Sequence, residues 1–208
     1  MGNLQITSLF CLFGYALGGI PTSYLIALHR HVDLRQRGSR NLGATNASRT
    51  LGFGFGALVG VLDIAKGVMP PLLASSVFSL PSISLLCIGM ATILGHIYTP
   101  YLSTHRGGKG VATGAGVIAV LFPSAILFGL AVFFSVAILS RYISLASLST
   151  YLALIPFYLV QAQPIEVAKL AFLGILGLLI VFTHRENIKR LFHHTEPTFS
   201  FSSAKEHV

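Results

Sequence analysis

Ala115-Gly116-Val117-Ile118-Ala119-Val120-Leu121-Phe122-Pro123-Ser124-Ala125-Ile126-Leu127-Phe128 is the stretch on which the fold turns. It sits inside an apolar run from about 110 to 139 that contains no Lys, Arg, Asp or Glu. Roughly 20 residues cross a bilayer once as helix, so the run is too long for one comfortable crossing. Pro123 falls near its middle, where a ring without an N–H stops one helix and can start another. The split predicts two antiparallel spans, the first unusually short.

Further apolar stretches lie at about 4 to 28, 51 to 78, 83 to 100, 142 to 160 and 167 to 183, giving seven spans with the split and six without it. Charge decides between the two counts. Of the 14 Lys and Arg, twelve lie in the segments between and after the spans: Arg30, Arg35, Arg37, Arg40, Arg49, Arg106, Lys109, Arg141, Arg185, Lys189, Arg190 and Lys205. Seven spans place all twelve on one side; six would move Arg141 and the C-terminal segment to the other. The turns near 79 to 84, 122 to 124 and 161 to 164 carry no Lys or Arg. The fold expected is therefore all-α, a polytopic membrane helix bundle with seven transmembrane helices, the N-terminus outside and the C-terminus cytoplasmic. It forms one integral domain over 1–192, with a short polar tail at 193–208.

Composition agrees. The 208 residues are 53% hydrophobic and only 10% charged, with a mean hydropathy of +0.77, which lies outside the range of soluble domains. The net charge of +8 invites a nucleic-acid reading, but the cations cluster beside apolar spans, where they orient helices and meet anionic lipid. Nucleic acid is excluded on that ground. Cys11 and Cys87 lie in apolar stretches and read as small hydrophobes. The first span is too long for a signal-peptide core, lacks a preceding basic residue, and is expected to stay as a helix. Gly14 with Gly18, Gly52 with Gly56 and Gly60, and Gly110 with Gly114 are spaced four apart, as close helix packing requires.

Three polar clusters fall on the basic side. Gly38 to Arg49 concentrates Ser, Asn, Thr and Arg and reads equally as a capped loop or a phosphate-contacting site. His105-Arg106-Gly107-Gly108-Lys109-Gly110-Val111-Ala112-Thr113 combines bare backbone with two cations and a hydroxyl, which suits an anionic oxygen cluster; a basic turn is the plainer reading. It is not a Walker loop, because Gly110 follows Lys109 where Ser or Thr is needed. The third cluster, His184 to Leu191, places His184 and Asn187 on one helix face. The convergence of all three on one water boundary favours a site over three unrelated loops. Asp63 and Lys66, three apart inside a span, are expected to pair and support it. His193-His194-Thr195-Glu196 lacks zinc spacing and reads as exposed tail, so no metal is expected.

These motifs closely resemble the bacterial acyl-phosphate:glycerol-3-phosphate acyltransferase family. The resemblance rests on Ile20 to Tyr24, Gly38 to Asn46 with Arg49, Asp63 to Gly67, Gly95-His96, Gly107 to Thr113, Arg141 to Ser147, and His184 to Leu191 followed by Thr195-Glu196. It implies a multi-pass protein of the bacterial inner membrane, its site at the cytoplasmic face, without a resident cofactor. The implied reaction moves an acyl group from acyl phosphate to the 1-position hydroxyl of glycerol 3-phosphate, giving lysophosphatidate and inorganic phosphate for phospholipid synthesis. Membrane lipid and functional coupling to enzymes that make acyl phosphate or use lysophosphatidate are implied with it.

By the same resemblance Ser39, His184 and Asn187 are catalytic. Asn41, Asn46, Arg49, Gly107, Gly108, Lys109, Gly110, Thr113 and Ser147 bind substrate and phosphate. Asp63, Lys66, Arg141 and Glu196 support them. Two departures stand out: Arg40 and His194 each occupy a position where the family pattern usually has Gly. The proton acceptor stays open between His184, with an ordinary imidazole pKa near ~6.5, and a substrate phosphate. A covalent route through Ser39 is disfavoured because no Gly-x-Ser-x-Gly elbow is present. Two rival classes remain. A transporter of a phosphorylated metabolite would place its site near the midplane and often shows repeated halves, neither of which is evident. A noncatalytic lipid-binding partner would leave His184 unexplained.

Overall fold

The computed structural model describes residues 2–104 and 106–199; His105, Lys205 and the remainder of the expected tail lie outside the described residues. Pro123 does what its chemistry dictates. Helix α6 (Val111–Leu121) stops, Phe122 adopts non-helical backbone, and α7 (Pro123–Ser140) starts with proline in its first turn. Val111 and Phe133 line one common cavity, so α7 runs back alongside α6.

The other helices are α1 (Asn3–Gly19), α2 (Thr22–His29), α3 (Ala44–Leu51), α4 (Phe53–Val77), α5 (Ser82–Ile97), α8 (Ile143–Gln161), α9 (Val167–Thr183) and α10 (Arg185–Phe192). No strand occurs among the described residues. The first expected span is broken at Ile20 and Pro21 into α1 and α2, which together form one apolar segment. It, α4, α7 and α8 are each long and apolar enough to cross a bilayer; α9 joins them if taken with α10 across a 61° bend. The α5 and α6 helices are shorter, and the 11 residues of α6 reach only roughly 16 Å, about half of a hydrocarbon core.

Side-chain neighbours give the helix directions. Gly67 of α4 lies on Thr113 of α6 while Gly116 of α6 lies on Ile64, an antiparallel crossing with no room for a Cβ at either glycine. Gly14 lies on Ile88 and Gly19 on Gly95, so α1 and α5 run parallel, with no room for a Cβ at Gly18 against Thr92. The Oγ of Ser124 donates to Gln161 near the start of α7 and the end of α8, making that pair antiparallel. The Gly52, Gly56 and Gly60 series departs from the packing stripe expected of it. Gly56 does touch Ser48, but Gly52 is the joint between α3 and α4, where a φ of +99° excludes a side chain.

The main core lies between α5, α6, α8 and α9, around Ile93, Val117, Leu154, Leu176 and Ile180. Outward, Leu127, Ile138, Leu139, Val160 and Leu178 are exposed. Such a continuous apolar surface is solvated by hydrocarbon rather than water. At one end of the bundle the C-termini of α5, α7 and α9 meet the N-termini of α4, α6 and α8, and there the polar clusters gather.

Candidate active site

The first polar cluster is not the loop that its composition suggests. Ala44, Ala47 and Leu51 recur at helical spacing, and residues 44–51 form α3 with Ala47 buried against Leu34, Leu42 and Val59. Asn46, on the buried side, accepts the Ser39 N–H at 2.9 Å and donates to the carbonyls of Leu34 and Arg37 at 3.2 and 3.1 Å. Its polar atoms are spent on holding the 34–39 segment. Asn46 positions Ser39 and also lines the cavity where the clusters meet.

A cavity of about 190 Å³ opens where the clusters meet. Ser39, Asn41, Arg49, Lys109, Ser147, His184 and Asn187 all line it, together with Asp63 and Glu196. Four helices begin on its wall: α3 after Gly43, α6 after Gly110, α8 after Tyr142 and α10 after His184. The first turns of α3, α6 and α8 bring a partial positive charge to that end, while the cap of α10 is bonded to carbonyls of α9, so the cavity suits an anion even before its cations are counted. Gly110 begins α6 at φ +85°, which requires glycine.

The second cluster presents Lys109 rather than a ring of N–H groups. Gly107 N–H donates to Ile97 O at 2.9 Å and Gly108 N–H to His96 O at 3.1 Å, so these two amides are unavailable to a phosphate. A Cβ on either glycine would collide with His96, and this close seat tethers the loop to α5. The expected cradle is thus corrected to an anchor at 107 and 108, with Lys109 as the group delivered. Thr113 also differs from expectation: it is fully buried against α4 and does not line the cavity. Arg141 is exposed and contributes a carbonyl that accepts the Phe199 N–H at 2.8 Å.

Lys109 Nζ donates to Asn187 Oδ1, and Asn187 Nδ2 donates to Glu196 Oε1 at 2.6 Å. Ser144 Oγ reaches the same oxygen at 2.7 Å, and Arg190 Nε donates to Glu196 Oε2 at 2.7 Å. Arg49 holds Pro197 O at 2.9 Å. Residues 195–199 therefore lie across the site instead of trailing from it, and Glu196, 7% exposed, corrects the reading of that segment as exposed tail. Burial alone would raise the Glu196 carboxyl, but hydrogen bonds from Asn187, Ser144 and Arg190 outweigh it and hold the group below the usual range. Ser144 and Arg190 were missed as site residues. Both stand inside motifs visible in the sequence, yet only the fold brings them to one carboxylate.

His184 is 2% exposed at the bend between α9 and α10. Its Nδ1 lies 2.8 Å from Ile180 O, and a carbonyl can only accept, so Nδ1 carries the hydrogen and Nε2 keeps its lone pair. Burial, then the Lys109 charge, lowers its pKa to about 4. Burial likewise lowers Lys109 to about 8. At neutral pH the site holds a neutral imidazole beside a cationic lysine. None of the described hydrogen bonds involves Ser39 Oγ, and Ser39 is exposed, so no base is seen poised to activate it.

Asp63 and Lys66 pair at 2.9 Å as expected, and Lys66 Nζ also donates to Ile20 O at 2.9 Å, across the break between α1 and α2. Among the described residues no cluster of three or more His, Cys, Asp or Glu is arranged to hold a metal.

The two departures from the family pattern have a backbone explanation. Arg40 sits at φ +58° and His194 at φ +54°, in the left-handed region where an L side chain costs roughly 1–2 kcal/mol and glycine nothing. Arg40→Gly and His194→Gly should each raise stability by about 0.5–1 kcal/mol, after the extra freedom glycine gives the unfolded chain. Thermal unfolding in detergent reads this out, and a lowered midpoint in both variants would refute it.

Comparison with known proteins places this geometry. The sequence model of one family, described as Glycerol-3-phosphate acyltransferase, matches residues 8–194. A glycerol-3-phosphate acyltransferase of Aquifex aeolicus is 42% identical over 188 residues, covering 90% of this chain and 96% of its own. One from Geotalea daltonii is 44% identical over 187 residues, covering 89% and 93%. The crystal structure of an integral membrane glycerol 3-phosphate acyltransferase in its glycerol 3-phosphate form superposes with a TM-score of 0.87 at 40% identity, covering 93% of this chain and 96% of that one. A lysophosphatidic acid form gives 0.84 at 39% identity, covering 93% and 95%.

Proposed function

The chain belongs to the glycerol-3-phosphate acyltransferase family, and from that premise we propose that it takes its acyl group from an acyl phosphate and releases lysophosphatidate and inorganic phosphate. The observation that carries this reading is the convergence of the N-termini of α3, α6 and α8 with Lys109 and Arg49 on one cavity. Such concentrated positive potential suits two substrates that each bring a phosphate. The chain crosses the inner membrane seven times with its C-terminus and site in the cytoplasm; alternating helix directions and the gathering of Arg49, Lys109, Arg141 and Arg190 at one end support that topology.

Lys109 and Arg49 hold phosphate oxygens, aided by Ser147, while Asn41 and Ser39 line the approach. The 1-position oxygen attacks the acyl carbonyl carbon, the carbon–oxygen bond to phosphate breaks, and phosphate leaves with the electron pair. An acyl phosphate needs little acid assistance, so the protein supplies position and charge stabilisation. His184 Nε2 accepts the hydrogen bond that aims the hydroxyl. The proton itself passes to a phosphate oxygen, whose affinity near pKa ~6 exceeds that of an imidazole lowered to about 4. Asn187, fixed between Lys109 and Glu196, steadies the developing charge.

A segment of the acyl chain lies in a second cavity of about 70 Å³ between α6, α7 and α8, lined by Ala115, Ile118, Gly129, Leu130, Tyr151 and Leu154, and the rest extends into the bilayer. Val111 and Phe133 border both cavities and join headgroup to chain. Gly129→Leu should fill this groove and lower kcat/KM for palmitoyl phosphate about tenfold while sparing a short-chain donor, since each buried methylene contributes roughly 0.8 kcal/mol. Equal loss with both donors would remove the groove from the mechanism.

The direct test gives purified protein palmitoyl phosphate with and without labelled glycerol 3-phosphate. Phosphate release that depends on the acceptor, with label appearing in lipid, is expected. Label entering lipid only from an acyl-CoA would replace the donor.

A further inference from the structure

Two carboxylates border the main cavity, and their surroundings differ. Both oxygens of Glu196 are occupied, Oε1 by Ser144 and Asn187 and Oε2 by Arg190. Asp63, 1% exposed, is held differently: Thr22 Oγ1 donates at 2.6 Å, Lys66 Nζ stands at 2.9 Å and His96 Nδ1 at 3.8 Å, and all three meet Oδ1. Three elements, α2, α4 and α5, thereby converge on one oxygen. A charge inside an apolar helix is costly, and a pair that served packing alone would have no reason to border the substrate cavity.

The substrate supplies a complementary need. Glycerol 3-phosphate offers a phosphate, a reacting 1-hydroxyl and a 2-hydroxyl. Lys109 and Arg49 take the first and His184 the second. The 2-hydroxyl, once out of water, still requires an acceptor. Lys66 neutralises the Asp63 charge locally, so the carboxylate accepts a hydroxyl without strongly repelling the phosphate.

We propose that Asp63 is a specificity-determining residue whose Oδ2 accepts a hydrogen bond from the 2-hydroxyl of glycerol 3-phosphate, with Thr22 and Lys66 fixing Oδ1 and His96 standing beside them. The assignment rests on the acyltransferase reading and extends it to the part of the acceptor that does not react. It turns the buried pair from a support into a sensor of glycerol, separating it from simpler phosphorylated alcohols.

The test compares three acceptors on the unaltered protein with palmitoyl phosphate: glycerol 3-phosphate, 3-hydroxypropyl phosphate, which lacks the 2-hydroxyl, and the analogue with fluorine in its place. A site built to accept that hydrogen should favour glycerol 3-phosphate roughly tenfold to hundredfold in kcat/KM over both, because fluorine cannot donate. The charge-balanced double variant Asp63→Leu with Lys66→Met should bring the three values together. Near-equal rates with all three acceptors on the unaltered protein would overturn the proposal, as would recovery with the fluoro analogue or an unchanged preference in a folded double variant. No transfer from acyl phosphate to any acceptor would instead strike the donor reading.

Discussion

Replacing Lys109 by Met is expected to lower kcat/KM for glycerol 3-phosphate by about 10²–10³. Lys109 is the cation delivered into the cavity by the tethered loop, and it also fixes Asn187. Removing one member of a largely desolvated, charged hydrogen-bonded set costs roughly 2–5 kcal/mol, and each 1.36 kcal/mol is a tenfold change in rate. The pH dependence carries a signature of its own. Burial lowers the ammonium from its ordinary range to about 8, so the cation is present at pH 7 and is lost as pH rises through about 8. The rate constant kcat/KM, which reports the free enzyme, should fall on that alkaline limb. Lys109→Arg should move the limb upward while lowering the plateau, because a guanidinium fork does not occupy the place of a point charge. An alkaline limb unmoved by Lys109→Arg would assign it to another group.

The second large effect belongs to His184. Truncation to Ala should reduce kcat by about 10², the scale on which misplacing a reacting group is felt. The acid limb separates orientation from proton transfer. If a phosphate takes the proton, kcat/KM should rise with pH through about 6, the second ionisation of a phosphate ester. Were His184 the base, the rise would fall near its own depressed value of about 4. A limb near 4 that disappears in His184→Ala would return the role to the imidazole.

What the sequence reveals is local. Pro123 divides an apolar run too long for one span, whereas Pro70, Pro71 and Pro156 are accommodated inside α4 and α8, and Asp63 and Lys66 share a helix face through spacing alone. The apolar stretches were legible for the same reason. Contacts between distant residues were not. That Asn46 is committed to Leu34 and Arg37 depends on how α3 docks, and its helical pattern of Ala44, Ala47 and Leu51 was masked by polar neighbours. The amides of Gly107 and Gly108 are consumed by carbonyls at the end of α5, a pairing that no glycine count foretells. Arg40 and His194 were visible as departures, but their consequence required the backbone angles.

Among the described residues Glu196 and Pro197 follow every apolar helix, and they bind Ser144, Asn187, Arg190 and Arg49. That carboxylate lies outside the apolar spans, so seating the spans in a bilayer does not by itself close the site. A chain interrupted at 194 would carry every span, resist extraction like the full protein, and leave Asn187 and Arg190 without their shared partner. Lodging in the membrane and completing the site are thus separable, and the residues around Glu196 mark the difference between them.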